Sequence, residues 1–224
     1  DQGKEGGVSV SCFWLEPTDR AQVGLRRYSP STGNLEPPCP REGGKWRYHG
    51  ALALLGDAPI TWSAERPAGR NHWFSDRDDR YGVPDFAYPG HDDPRWPGAC
   101  ECGGYQFTAD DAWLDRLYRR ADTGELLTLR DAPDGAMWDA VWYRPMQGPG
   151  GRCLTVKCPG GSDWIIDSRA SNCTMPDDSE HRCWIRHGEP PRITVDKNGL
   201  TCQAGGGSIQ AGNYHGFLRD GAFT

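Results

Sequence analysis

The sequence predicts a mainly β fold with one amphipathic helix (α+β), built from loop-rich small sheets and held together by zinc. Three observations lead there. Apolar and polar residues alternate in short runs, the mark of strands with one buried face. Thirty glycines and 18 prolines in 224 residues punctuate those runs with turns and ordered loops. Nine cysteines, one of them two residues from His181, supply soft metal ligands. The hydrophobic fraction is low at 36%, yet ten tryptophans are present, so aromatic cross-strand packing replaces an aliphatic core.

The strand signals run in order. Val8, Val10, Cys12 and Trp14 alternate with Ser9, Ser11 and Phe13. Residues 22–28 read as a second strand, Trp46 and Tyr48 as part of a third, and Ile60 with Trp62 as a fourth. From 66 to 98 the chain is rich in Pro, Gly, Asp, Arg and aromatics without periodicity. That composition reads as an ordered loop packed through Trp73, Phe74, Tyr81, Phe86, Tyr88 and Trp96. The helix is expected over 108–121. Thr108-Ala109-Asp110-Asp111 resembles a capping start, Trp113, Leu114, Leu117, Tyr118 and Ala121 form a stripe, and Gly124 ends it. Further strands are expected at 125–130, 137–143, 152–157 and 163–167, the last two joined by the hairpin turn Pro159-Gly160-Gly161-Ser162. Asp196-Lys197-Asn198-Gly199 predicts a second hairpin between 192–195 and 200–202. Two regions follow from this reading: residues 1–98, a β-rich and loop region, and residues 99–224, a zinc-binding β domain with one helix.

The predicted metal site draws on two stretches. Cys100-Glu101-Cys102-Gly103-Gly104 places two thiols on one side of an extended turn that glycine lets fold back. Cys173 and the strand-spaced His181 and Cys183 provide the second half. Five candidates (Cys100, Cys102, Cys173, His181 and Cys183) thus compete for four positions. Four protein ligands make a zinc site structural rather than catalytic. Buried unliganded thiols are the plain alternative. Cys153 and Cys158, five apart on a strand, face opposite sides and are poorly placed as partners. Cys12, Cys39 and Cys202 are candidates for a second site.

The order of these residues resembles a bacterial and phage family of small metal-binding domains of unknown function. Its members pair Cys-x-Cys-Gly with a downstream Asn…Pro-Cys-x-Ser-His-Tyr-Trp-Ile segment. Cys100-Glu101-Cys102-Gly103 matches the first part; Asn172, Pro176, Ser179, His181, Trp184 and Ile185 are similar to the second. Asp177 stands where the family has cysteine, so Cys173 or Cys183 would substitute. The resemblance covers about residues 100–188. The whole chain also resembles uncharacterised proteins of tailed phages, which implies a phage accessory or virion-associated role, in the host cytoplasm or the virion.

Composition narrows the function classes. With 25 Lys+Arg against 31 Asp+Glu, the net charge is −6, and cations are interspersed with carboxylates as in Asp76-Arg77-Asp78-Asp79-Arg80. Phosphate-backbone binding depends on clustered Lys and Arg, so duplex nucleic acid and a zinc-ribbon role are disfavoured. No apolar run is long enough to span a bilayer, and no signal-peptide pattern is present, so reduced thiols and a soluble protein are expected. The leading expectation is a zinc-stabilised, non-enzymatic binding protein with a protein partner, virion components included. The alternative is a metal-dependent hydrolase using His72, His91 or His187 near the metal.

Overall fold

In the computed structural model the described residues are 9–29, 39, 49–65, 82–85, 87–100, 102–103, 107, 109–142, 148–168, 185–196 and 208–224. Regular structure among them is strand, apart from three-residue 3-10 turns at Pro149–Gly151 and Ile166–Ser168. The strands are β1 (Val10–Ser11), β2 (Phe13–Tyr28), β3 (Gly50–Pro59), β4 (Thr61–Ser63), β5 (Val83–Asp85) and β6 (Ala109–Arg120). There follow β7 (Leu126–Thr128), β8 (Ala136–Asp139), β9 (Leu154–Lys157), β10 (Asp163–Ile165), β11 (Ile185–His187) and β12 (Thr194–Asp196). The chain ends with β13 (Ile209–Ala211), β14 (Tyr214–Gly216), β15 (Leu218–Arg219) and β16 (Ala222–Phe223). The fold is mainly β. None of its helices is long and apolar enough to cross a membrane, among the described residues.

The chain divides into two compact units. One comprises Asp1–Pro17 with Tyr118–Thr224, the other Thr18–Leu117. The sequence boundary at 98/99 falls inside the second unit, so Cys100 and Cys102 share that unit with Cys39 and His49.

In the first unit, β8 pairs antiparallel with β9 and parallel with the start of β2. The hairpin β9–β10 forms at the expected turn. Gly160 and Gly161 adopt φ of +91° and +83°, which glycine accepts without strain, and both backbone amides donate to the Asp134 carboxylate at 2.9 and 3.0 Å. Strand alternation sends Met137, Leu154 and Val156 into one cluster with Ile193, Ile209 and Phe223. Trp138 and Cys153 enter another cluster with Phe13, Leu15 and Tyr118. Cys153 and Cys158 accordingly belong to different clusters. β12 pairs with β11; the expected second arm of its hairpin, 200–202, lies outside the described residues.

In the second unit, β3 runs antiparallel to β2, with a register shift between Gln22 and Gly24. Ala21, Val23 and Leu25 pack with Ile60, Trp96 and Leu114. Two expectations are corrected here. First, the strand expected at 22–28 is the far end of a longer strand, β2, which begins at Phe13, while the run at 8–14 supplies β1 and the first residues of β2. Pro17, Thr18, Asp19 and Arg20 lie between the two runs. The chain stays extended because Thr18 Oγ1 donates to the Leu117 carbonyl at 2.7 Å and Arg116 Nε donates to the Thr18 carbonyl at 2.6 Å. Second, the helix expected over 108–121 is strand β6. The pairs Trp113–Leu114 and Leu117–Tyr118 satisfy a helical stripe, but they equally place one residue of each pair on each face of a strand. Ala112 and Leu114 join the core, while Asp111 binds Arg26 at 2.8 Å and Trp113 covers Gly24. Strand pairing and this two-sided burial override the local period.

Gly24 gives a direct check on that packing. A Cβ there would lie 2.2 Å from ring carbons of Trp113. Gly24→Val is therefore expected to destabilise the protein by about 3 kcal/mol, the upper range of overpacking costs. Urea denaturation measures it, and adding Trp113→Ala should recover part of the loss. An unchanged midpoint would show that the ring does not sit over Gly24.

Candidate metal centre

Four ligand atoms converge in the second unit. Cys39 Sγ, His49, Cys100 Sγ and Cys102 Sγ all lie within 4.8 Å of one another. Cys39 and Cys100 sulfurs are 3.8 Å apart, and His49 Nδ1 is 3.2 Å from Cys102 Sγ. Cys39, His49 and Cys100 are 0%, 2% and 3% exposed; Cys102 is half-buried.

Local structure explains how each arrives. His49 immediately precedes β3, and its carbonyl accepts the Ser29 amide at 3.0 Å, tying the start of β3 to the end of β2. The loop before Cys100 is pinned by Trp96, whose Nε1 donates to the Gly90 carbonyl at 2.8 Å and whose amide donates to Asp93 at 3.1 Å. Gly103 then takes φ of +98° and donates its amide to the Cys100 carbonyl at 2.8 Å. This tight turn presents Cys100 and Cys102 to the same point. A residue with a Cβ would be strained at that φ.

The thiols differ in a way that separates this cluster from the other cysteines. Burial raises the Cys100 thiol. Amides of Cys102 and Gly50 and the thiols of Cys102 and Cys39 donate to its sulfur and outweigh burial, holding it below the ordinary thiol range. Cys102 is raised, by burial first and then by the neighbouring Cys100 and Cys39. Cys100 is therefore the readier of these two thiols to ionise, and a bound cation favours the deprotonated form of a thiol ligand. By contrast, burial pushes Cys12, Cys153 and Cys158 each up to about 12. Those three behave as small apolar side chains.

Of the five predicted ligands, Cys100 and Cys102 are brought together. Cys173, His181 and Cys183 lie outside the described residues, as do Cys202 and His72. Cys39, read from sequence as a candidate for a second site with Cys12 and Cys202, joins Cys100 instead; Cys12 lies in the other unit. His49 was missed by sequence reasoning altogether. It sits in no short Cys/His motif, and nine residues lie between it and Cys39. His187 is exposed on β11, and His215 Nε2 contacts Ser208 Oγ at 3.1 Å. Within the expected aromatic loop, Trp96 is buried and Tyr88 packs against the same core. The remaining aromatics named for it lie outside the described residues.

Three sulfurs and one imidazole, all from the protein and mostly buried, are compatible with a metal site. No protein-family model matches the chain, and no curated protein or solved structure does.

Proposed function

We propose that this chain is a non-enzymatic binding protein whose second unit is stabilised by one structural zinc ion on Cys39, His49, Cys100 and Cys102. The observation that carries this reading is the convergence of four soft donor atoms within 4.8 Å. A Cys3His set matches tetrahedral zinc, and four protein ligands leave it no position for a substrate or water. Zinc would here serve to cross-link Cys39, the start of β3 and the turn at Cys100–Cys102. The chain's own residues do the rest: Gly103 shapes the turn, and the Gly50 and Cys102 amides stabilise the thiolate.

A binding role is further supported by β3. Leu52 and Leu54 are 47% and 53% exposed. They stand opposite Arg26 and Gly24 in the antiparallel register. Opposed residues share a sheet face, so the two leucines lie on the side where Trp113 covers Gly24. Such a face suits a protein partner. The phage accessory or virion-associated role rests on the sequence resemblance.

The test is metal content together with native mass. About one zinc per chain is expected in the wild type, none in Cys102→Ala, and an unaltered content in His72→Ala. Wild-type protein that is metal-free, and that melts identically with and without a strong chelator, overturns the zinc assignment.

A further inference from the structure

We propose that a second site, the cleft beside the loop 91–98, binds a saccharide. This deepens the binding-protein reading by naming a ligand class, and it does not depend on the zinc assignment. The cleft has a volume of about 650 Å³, within the usual range for small-ligand sites. Arg27, His91, Asp93, Trp96, Phe107 and Asp110 line it.

Its charges are locked against one another. Asp110 accepts Arg27 Nε at 3.0 Å with one oxygen and contacts His91 Nδ1 with the other. The Arg27 guanidinium also donates through Nη2 to the His91 carbonyl at 2.6 Å and lies over the Trp96 ring at 5.2 Å. Asp93 receives Arg95 in a fork, Nε at 2.9 Å and Nη2 at 2.8 Å. Those hydrogen bonds, the side-chain ones foremost, hold the Asp93 carboxyl at about 2.

An anion would have to break one of these pairs to find its counter-ion, and a cation could avoid doing so only at the exposed, water-screened Asp92. A neutral polyol need break none of them. Each sugar hydroxyl both donates and accepts, so it can use the second lone pairs of the carboxylates and the remaining guanidinium N–H groups while the pairs stay intact. With Nδ1 engaged, His91 offers Nε2, on a side chain that is 76% exposed. The exposed Asp92 adds acceptors whose charge water screens. Phe107, which is partly exposed, supplies aromatic surface for the apolar C–H face of a pyranose, while the buried Trp96 backs the Arg27 guanidinium. Because the polar groups are already held in place, little ordering cost is left for binding.

The experiment is calorimetric and NMR titration of the full chain as purified. The probes are maltotetraose, cellotetraose, chitotetraose and a galactose tetrasaccharide, with inorganic phosphate and spermidine as charged probes. Saturable binding of at least one tetrasaccharide is expected, weakened roughly tenfold by Phe107→Ala through loss of stacking. Zinc content in that variant should be unchanged, which separates this site from the metal centre. Retention on the matching insoluble polymer, competed by the tetrasaccharide, identifies a chain segment as the ligand; tetrasaccharide binding without retention identifies a free oligosaccharide. The proposal is overturned if no probe sugar saturates the site at millimolar concentration, if Phe107→Ala binds as the wild type does, or if phosphate or spermidine binds more tightly than every sugar.

Discussion

Cys100→Ala is expected to contain no stoichiometric zinc and to lose the cooperative unfolding of the second unit at ordinary temperatures. Structural zinc contributes on the order of 10 kcal/mol of apparent binding free energy to folding in small metallo-domains. That is comparable to the whole stability of a typical domain. Cys100 carries the effect most heavily because its sulfur collects amides of Cys102 and Gly50 as well as the neighbouring thiols. Removing it leaves those donors without an acceptor in a site that is 3% exposed at that residue. Cys12→Ala, in the other unit, should keep its zinc. Calorimetry with and without chelator reads both variants. The chelator should shift the wild type to the Cys100→Ala trace and leave that variant unmoved. A Cys100→Ala protein that retains one zinc, or melts with the wild type, would sink the assignment of this residue.

The second large effect lies in the first unit, at Asp167. Its carboxylate accepts the Leu154 amide at 2.8 Å and Arg186 Nε at 2.7 Å. The two side chains are 0% and 5% exposed. Breaking such a pair from one side strands a buried charge, so Asp167→Ala should cost about 3–5 kcal/mol. The Leu154 amide also loses its acceptor, and the space over Gly148 that the carboxylate fills is emptied. The double change Asp167→Leu with Arg186→Met removes both charges. It should recover much of the loss, since a well-packed apolar pair is often as stable as a buried ion pair. Equilibrium urea unfolding distinguishes the cases. A cost below about 1 kcal/mol for Asp167→Ala would mean the pair is solvated.

Half of the candidate metal centre was legible beforehand. Cys100 and Cys102 stand two apart before two glycines, and the tight turn that Gly103 closes brings them together within a few residues. Cys39 was visible as a thiol but not as their partner, because sixty residues lie between it and Cys100. His49 carried no signal at all: a single histidine before Gly50 joins the three thiols only once β3 is laid against β2. β3 itself escaped notice. Its run Ala51-Leu52-Ala53-Leu54-Leu55 lacks the β-branched residues that mark strands, and its alternation appears in burial rather than in polarity.

The sequence by itself determined the strand-rich class and the β9–β10 hairpin, because short-range alternation and turn chemistry act within a few residues. The β9–β10 turn needs only Gly160 and Gly161 at positive φ, and no distant contact changes that. Tertiary structure alone decided the state of residues 109–120 and the composition of the metal cluster. In the first case, pairing with β2 and the packing of Trp113 over Gly24 overrode a stripe that fits helix and strand alike. In the second, the ligands are set by which loops are closed against which strands. That closure is a property of the folded chain, with no counterpart in the order of residues.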